Sequence, residues 1–185
     1  MENVLAILMA GGAGERLYPL TRDMAKPAVP FGGIYRIIDF TLSNCINSHL
    51  RRILVLTQYK ALELARHLRD GWSFLSPEMG EYIEVIPPMK RVHEGWYLGT
   101  ADAVFQNAAS IVAEDPKETL ILAGDHIYRM NYHEMLDWHR EHEADITLAT
   151  IQAAPEAAAR FGVVEIAPDH RVVGFEEKPQ HDHPK

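Results

Sequence analysis

Four continuous apolar runs of strand length, separated by segments with helical spacing, constrain the fold of this sequence. The apolar runs cover residues 4–9, 53–57, 119–123 and 146–151. The segments with helical spacing cover residues 59–69, 101–112 and 131–142. Because the apolar runs are continuous rather than alternating, they are typical of strands covered on both faces. The pattern predicts an α/β protein with a Rossmann-like, doubly wound and mostly parallel sheet, followed by a strand-like segment at 171–175.

The composition is that of a soluble globular protein. Of the 185 residues, 47% are hydrophobic and 24% are charged, which argues against a disordered chain. No apolar run approaches the roughly 20 residues of a membrane helix, so we expect no membrane contact. The N-terminus lacks the basic start of a signal peptide, and the single Cys45 excludes an internal disulfide. A cytoplasmic location is therefore expected.

The charge of the chain is distributed unevenly. A net charge of −8 disfavours a nucleic-acid partner, since nucleic-acid-binding proteins usually carry a basic surface. Residues 1–70 have a balance of +3, whereas residues 71–185 have a balance of −11. The N-terminal part could therefore bind an anionic small molecule, although an uneven solvated surface would give the same counts.

A glycine-rich loop follows the first predicted strand. Gly11, Gly12 and Gly14 allow backbone conformations that bring N–H groups close to an anion. The dinucleotide fingerprint does not match, because Leu17 stands where its third glycine would be. The loop also lacks the Gly-Lys-Ser/Thr sequence of a P-loop. On spacing alone, the segment is either a phosphate-binding loop or a tight connection between a strand and a helix.

Two cationic residues lie close to this loop and favour the phosphate interpretation. Arg16 follows the glycines, and Lys26 comes ten residues later. A guanidinium binds phosphate through a planar fork and an ammonium acts as a mobile point charge, so the two suit different phosphates of one triphosphate. They are the first candidate catalytic residues.

Asp125 follows the apolar run at 119–123 and is a candidate metal ligand. A carboxylate at the carboxyl edge of a parallel sheet can hold Mg²⁺ against a triphosphate. Aspartate is also common at helix N-caps and in Asx-turns, which is the alternative interpretation.

Two further segments have residues suited to ligand binding. Thr100, after Gly99, is a natural N-cap for the helix predicted at 101–112, whose free N–H groups could meet a nucleotide. Trp96 and Tyr97 precede it and either cover a ligand or belong to the core. Glu177 and Lys178 end a strand, where they could bind a sugar phosphate or simply be exposed charges.

In combination and in order along the chain, these motifs resemble those of sugar-1-phosphate nucleotidyltransferases. The match narrows to the glucose-1-phosphate adenylyltransferases. It is carried by the segments 8–17, 19–21, 26–33, 35–40, 42–44, 47–48, 58–59, 71–74, 96–97, 99–104, 124–128, 161–163 and 177–179.

The resemblance implies a nucleotide-diphospho-sugar transferase fold and a reaction of ATP with glucose 1-phosphate that gives ADP-glucose and diphosphate, for glycogen or starch synthesis. It assigns the ATP phosphates and nucleotide to Gly11, Gly12, Gly14, Arg16, Lys26, Gly99 and Thr100. It assigns Mg²⁺ to Asp125. It assigns glucose 1-phosphate to Tyr97, Gly162, Glu177 and Lys178.

The resemblance also implies that residues 1–185 form a catalytic domain that is incomplete at its C-terminus. Family members continue with another metal-binding aspartate and a C-terminal β-helix, and the full-length protein is expected to be an allosteric homotetramer. Asp23 and Met24 stand where many relatives have basic residues in the activator-binding stretch, which leaves the effector open.

Two alternatives remain. One is an enzyme of the same class that uses UTP or dTTP, against which the segment 30–40 argues. The other is a non-catalytic regulatory subunit, against which the presence of Arg16 and Asp125 argues.

Overall fold

The fold is built around strand β1 (Val4–Met9), which pairs with a parallel neighbour along each edge. The computed structural model describes residues 3–12, 14–58, 60–88 and 97–179. The chain divides into two units, residues 1–142 and residues 143–185, and β1 belongs to the first.

The first unit contains one parallel sheet of four strands. Its remaining strands are the short antiparallel pair β2 (Pro30–Phe31) and β3 (Tyr35–Arg36), and the sheet strands β4 (Arg52–Leu56), β5 (Tyr82–Ile86) and β6 (Glu118–Ala123). The sheet order is β5-β4-β1-β6 with every pair parallel. The chain therefore moves outward from β1 to β4 and β5, then crosses back to place β6 on the other side of β1.

Helices cover both faces of this sheet. They are α1 (Ile37–Asn47), α2 (Leu62–Gly71), α3 (Thr100–Gln106), α4 (Ala108–Ala113) and α5 (Tyr132–Glu141). Residues of α1, α2 and α5 share one core cluster with the sheet, and residues of α3 and α4 pack in a second cluster. The predicted doubly wound α/β fold is confirmed. No helix in the described part of the chain is long and apolar enough to cross a membrane.

Strand β1 is buried on both faces, which explains its uninterrupted apolar sequence. Ala6 and Leu8 lie in the core cluster that contains Leu42 of α1, whereas Ile7 lies in the cluster that contains Ala103 of α3. A central parallel strand with helices above and below has no solvent-facing side, so a polar residue at any of these positions would lose its water contacts.

Most of the predicted elements are confirmed within a few residues of their ends. The helix predicted at 101–112 is interrupted at Asn107, which separates α3 from α4. Helix α1 was not predicted, although Ile38, Leu42 and Cys45 lie at the helical intervals that would have identified it.

The strand predicted at 146–151 is wrong. These residues form no regular secondary structure, and Ile146 and Ile151 are 79% and 88% exposed. A strand requires a hydrogen-bonding neighbour, and none of the described strands pairs with this segment. In the second unit, β7 (Gly162–Ile166) and β8 (Val172–Glu177) instead form an antiparallel hairpin, which confirms the strand predicted near 171–175.

A buried carboxylate joins α1 to α2. Asp39 accepts hydrogen bonds from the Arg36 backbone N–H at 2.7 Å and from Trp72 Nε1 at 2.8 Å, and its carboxylate lies 2.7 Å from His67 Nε2. These side chains line a cavity of about 790 Å³ that does not include the glycine-rich loop. With three partners, this carboxylate fixes the start of α1 against the end of α2.

A second polar cluster ties together the amino ends of the strands. Arg52 Nη2 lies 2.9 Å from Glu114 Oε2, and the Tyr82 hydroxyl donates to the same oxygen. Arg52 also donates to Asn3 Oδ1 at 2.7 Å. The hydrogen bond from Tyr82, followed by that from Arg52, lowers the pKa of Glu114 below its usual value. Burial, followed by the bond to Glu114, raises the pKa of Tyr82 to about 12.

We predict that Glu114→Gln lowers the free energy of unfolding at neutral pH by about 1 kcal/mol, because it removes a charge-assisted hydrogen bond. A lowered folded pKa adds stability above the ordinary glutamate pKa of about 4.3, and that stability is lost as the pH falls below this value. The gap between wild type and variant should therefore close towards acid pH in urea unfolding curves. Glu84→Gln, at an exposed position of β5, is the control and should show no such gap. A gap for Glu114→Gln that is constant with pH would contradict this account.

Candidate active site

The carboxyl ends of β1 and β6 lie side by side, so the segments that follow them share one edge of the sheet. Met9 pairs with Ala123, and the Gly124 N–H donates to the Met9 carbonyl at 3.1 Å. The strand order reverses at this point, since β4 lies on one side of β1 and β6 on the other. Open parallel sheets bind their ligands in the crevice at such a switch point.

Each of the three loop glycines has a different environment. A Cβ on Gly11 would lie 2.9 Å from Gln58 Cβ, so this glycine permits close approach of the loop to the segment after β4. Gly14 has a φ of +68°, and a Cβ there would lie 2.7 Å from Lys26 Cβ. A Cβ on Gly12 would meet nothing within 4 Å. Gly11 and Gly14 are therefore required by the fold, whereas Gly12 faces open space. Ala13 lies outside the described residues.

Arg16 lies directly beyond the loop, in a 3₁₀ turn from Glu15 to Leu17. Its side chain is exposed and makes no ion pair with the described residues. The Arg16 guanidinium therefore lies in the open next to the glycine-rich loop, where a phosphate could reach it.

Two residues to which the sequence assigned no role hold the loop in place. The Thr21 hydroxyl is buried and donates to the Gly14 carbonyl at 2.9 Å. Lys60 Nζ donates to the Thr21 carbonyl at 3.1 Å and also to the Arg22 carbonyl. These bonds fix the chain between Arg16 and Lys26. Only the tertiary structure shows them, since Lys60 is 39 positions from Thr21.

Two charged residues predicted from the sequence, Lys26 after β1 and Asp125 after β6, meet at this edge of the sheet. Lys26 Nζ lies 3.1 Å from Asp125 Oδ2, with side chains 27% and 41% exposed. His126 Nδ1 lies 3.6 Å from the other carboxylate oxygen. The residues are 99 positions apart, and the sheet topology alone brings them together.

The donor set fits Mg²⁺ that is shared with a ligand. No group of three or more His, Cys, Asp or Glu side chains in the described ranges could enclose a metal ion. Mg²⁺ commonly uses only one or two carboxylates together with substrate phosphates and water. Asp125, which is partly exposed beside a loop suited to phosphate, provides such a ligand.

The start of α3 differs from the prediction in one respect. Thr100 is the first residue of the helix, and Gly99 occupies the N-cap position, so the prediction of Thr100 as the N-cap is wrong. The residue before the cap is held to the first turn, because Asp102 Oδ2 accepts from the Leu98 N–H at 2.8 Å. Gly99 and Thr100 are both exposed.

Tyr97 lies in the core cluster beneath α3. Its ring is 9% exposed, and its hydroxyl accepts from Asn107 Nδ2 at 3.0 Å. Its carbonyl accepts from Gln58 Nε2 at 3.4 Å, and Gln58 is the residue that packs against Gly11. Tyr97 is therefore linked to the glycine loop through one side chain. Trp96 lies outside the described residues.

Three predicted residues lie together in the second unit. Gly162 pairs with Glu177 across the β7–β8 hairpin, and a Cβ on Gly162 would lie 3.0 Å from Glu177 Oε2. Lys178 Nζ lies 3.0 Å from Glu177 Oε1, and the Lys178 N–H donates to the Phe161 carbonyl at 2.9 Å. The strand ends thus hold a carboxylate and an ammonium side by side.

Comparison with known proteins shows which sequences this chain is similar to. The family model described as nucleotidyl transferase matches residues 5–185. A glucose-1-phosphate adenylyltransferase of Koribacter versatilis is 62% identical over 97% of the chain and 43% of the relative. That of Rhodopirellula baltica is 51% identical over 100% of the chain and 42% of the relative. Glucose-1-phosphate adenylyltransferase 2 of Vibrio cholerae is 55% identical over 97% of the chain and 44% of the relative. The chain thus spans less than half the length of these relatives.

We predict that Gly14→Ala destabilises the chain by about 1–3 kcal/mol, because it forces a side chain into a left-handed backbone and against Lys26. Gly12→Ala should keep the wild-type unfolding midpoint, since the added methyl group meets open space. Thermal unfolding followed by circular dichroism compares the two. Equal midpoints for both variants would show that the loop does not have this conformation.

Proposed function

Because the chain belongs to the nucleotidyl transferase family, we propose that the full-length protein transfers the adenylyl group of ATP to glucose 1-phosphate. The products are ADP-glucose and diphosphate, and the pathway served is glycogen or starch-like synthesis. The observation that carries this proposal is the ion pair of Lys26 and Asp125, 3.1 Å apart beside the glycine-rich loop at the switch point of the sheet. The names of the similar proteins supply the substrates.

The chemistry requires positioning and charge stabilisation rather than a general base. The attacking oxygen of a sugar phosphate is already an anion, and the bond that breaks leaves diphosphate with added negative charge. Backbone N–H groups of Gly11, Gly12 and Gly14 would bind the triphosphate. Arg16 at the rim of the loop would bind the departing phosphates, and Lys26 would stabilise the charge that develops.

Lys26 and Asp125 act on the same phosphates because they share one location. When Mg²⁺ is bound to Asp125 and the phosphates, it neutralises negative charge on the triphosphate. Lys26 Nζ, at 3.1 Å from the same carboxylate, lies within reach of any phosphate held there. The ammonium can exchange one anionic partner for another with little movement, since its stem is flexible.

Glucose 1-phosphate, the second anionic substrate, is assigned to residues outside the glycine-rich loop. We propose that Gly162, Glu177 and Lys178 bind glucose 1-phosphate, with Lys178 on its phosphate and Glu177 accepting from sugar hydroxyls. A Cβ at position 162 would lie 2.8 Å from Phe175 Cε2 and 3.0 Å from Glu177 Oε2, so glycine leaves room for both side chains. On the resemblance, Tyr97 is also proposed to bind glucose 1-phosphate, and Gly99 and Thr100 at the start of α3 are proposed to contact the nucleotide.

Further properties of the full-length protein belong to the same proposal. ATP and a sugar phosphate are metabolites of the cytoplasm, which supports a cytoplasmic location. We propose that the enzyme is a homotetramer under allosteric control, on its similarity to glucose-1-phosphate adenylyltransferases. Asp23 and Met24 carry no positive charge, so an anionic effector would have to use other residues.

We predict that the full-length protein releases diphosphate from ATP only when glucose 1-phosphate is present. Asp125→Asn should lower the rate by about 10²–10³-fold, as loss of one preorganised electrostatic contact does elsewhere. Asp137→Asn is the matched control, because Asp137 is exposed to a similar degree, 46% against 41%, and lies on α5. A coupled diphosphate assay gives both rates.

Competition among four triphosphates that include ATP, UTP and dTTP, with the nucleotide-sugar product identified, tests the choice of base. Preference for UTP would contradict the adenylyl assignment. Binding of ATP and glucose 1-phosphate without turnover would identify a regulatory subunit. Wild-type turnover in Asp125→Asn would remove that residue from the mechanism.

A further inference from the structure

Three polar side chains, two on α1 and one at its C-cap, face the segment that follows β6. Thr41, Asn44 and Ser48 lie three and four positions apart, so they share one side of the helix. All three are buried, with exposures of 0%, 6% and 1%. Buried hydroxyl and amide groups need partners, and each of these finds one within residues 123–132.

Thr41 holds the start of this segment. Its hydroxyl donates to the Ala123 carbonyl at 3.1 Å, two residues before Asp125. One buried hydroxyl thus fixes the chain directly before the candidate metal ligand.

Asn44 and Ser48 hold the end of the segment. Asn44 Nδ2 donates to the Tyr128 carbonyl at 3.1 Å. Ser48 Oγ accepts from the Tyr132 N–H at 2.9 Å and lies 3.4 Å from Asn131 Oδ1. The path of the chain after Tyr128 is therefore also fixed to α1.

Between these anchors the chain is short. Gly124 is buried and donates to the Met9 carbonyl at 3.1 Å, whereas Asp125 is partly exposed and His126 and Ile127 are exposed. The His126 ring stacks on the Tyr128 ring with centroids 4.4 Å apart. A segment of four residues clamped at both ends has little freedom, so the direction of the Asp125 carboxylate depends on the clamps.

We propose that Thr41 is a positioning residue for Asp125, and that its hydroxyl sets the carboxylate orientation needed for a divalent cation. This inference rests on the proposed function, since it assumes that Asp125 holds Mg²⁺ together with ATP. Thr41 touches neither the cation nor the substrate and acts through the backbone at Ala123. Mutation of groups that orient metal ligands typically costs about 10–100-fold in metal affinity or activity.

Three substitutions in the full-length protein test the proposal. Thr41→Val keeps the shape and removes the hydroxyl, while Thr41→Ser keeps the hydroxyl. Thr57→Val is the matched control, because Thr57 is equally buried and donates to the Ile86 carbonyl at 3.2 Å, at the end of β4. Asn44→Ala, which removes the anchor at Tyr128, is a second variant if Thr41→Val does not fold.

The readouts are the Mg²⁺ concentration for half-maximal activity and the enhancement of water-proton relaxation by Mn²⁺–ATP without glucose 1-phosphate. Thr41→Val is expected to raise the half-saturating Mg²⁺ concentration about tenfold, the lower end of the range for groups that support metal ligands. It should weaken the relaxation enhancement as well. Thr41→Ser should restore both, and Thr57→Val should change neither, although its unfolding midpoint falls by a similar amount.

Wild-type metal dependence in Thr41→Val would overturn the proposal, and so would an equal shift in Thr57→Val. Failure of the proposed function is distinguishable, because it appears as absence of turnover with glucose 1-phosphate in the wild-type protein. The relaxation measurement with Mn²⁺–ATP does not depend on the acceptor sugar. A Thr41→Val defect in that measurement would support the positioning role whichever acceptor is used.

Discussion

Strand β1 is enclosed on all sides, by β4 and β6 along its edges and by helix layers on its two faces. Polar side chains are excluded from such a strand, because both of its faces lie in the core. At its carboxyl end the chain leaves the core beside β6 and can offer backbone groups to a ligand. The position of the glycine-rich loop therefore follows from the burial of β1.

The candidate site arises from the return of the chain to β6. Because β6 pairs with β1 in parallel, the residues after the two strands emerge at the same edge, and Lys26 meets Asp125 there. The segments that carry Lys26 and Asp125 are each held in place by a hydrogen bond from a buried threonine. Thr21 fixes the loop that leads to Lys26, and Thr41 fixes the segment that carries Asp125. Buried hydroxyls thus support the exposed charges.

The spacing of apolar residues predicted most of the strands and helices of the fold. A strand that is covered on both faces, such as β1, has a continuous apolar sequence, which distinguishes it from exposed segments. The same criterion failed at 146–151, because an apolar run identifies a strand only when a neighbour supplies its hydrogen bonds. The candidate charges Arg16, Lys26 and Asp125 were identified from residue type and position. The roles of Thr21 and Thr41 could not be, since a lone hydroxyl carries no pattern and its partner is distant in sequence.

The central claim is that the loop after β1 and the segment after β6 form one phosphate site. A double-mutant cycle with Lys26→Met and Asp125→Asn, read as kcat/KM for ATP in the full-length protein, tests it most directly. If the two charges act on the same phosphates, their effects are strongly non-additive, and the double variant is little worse than the poorer single variant. Independent effects that multiply in the double variant would contradict the claim.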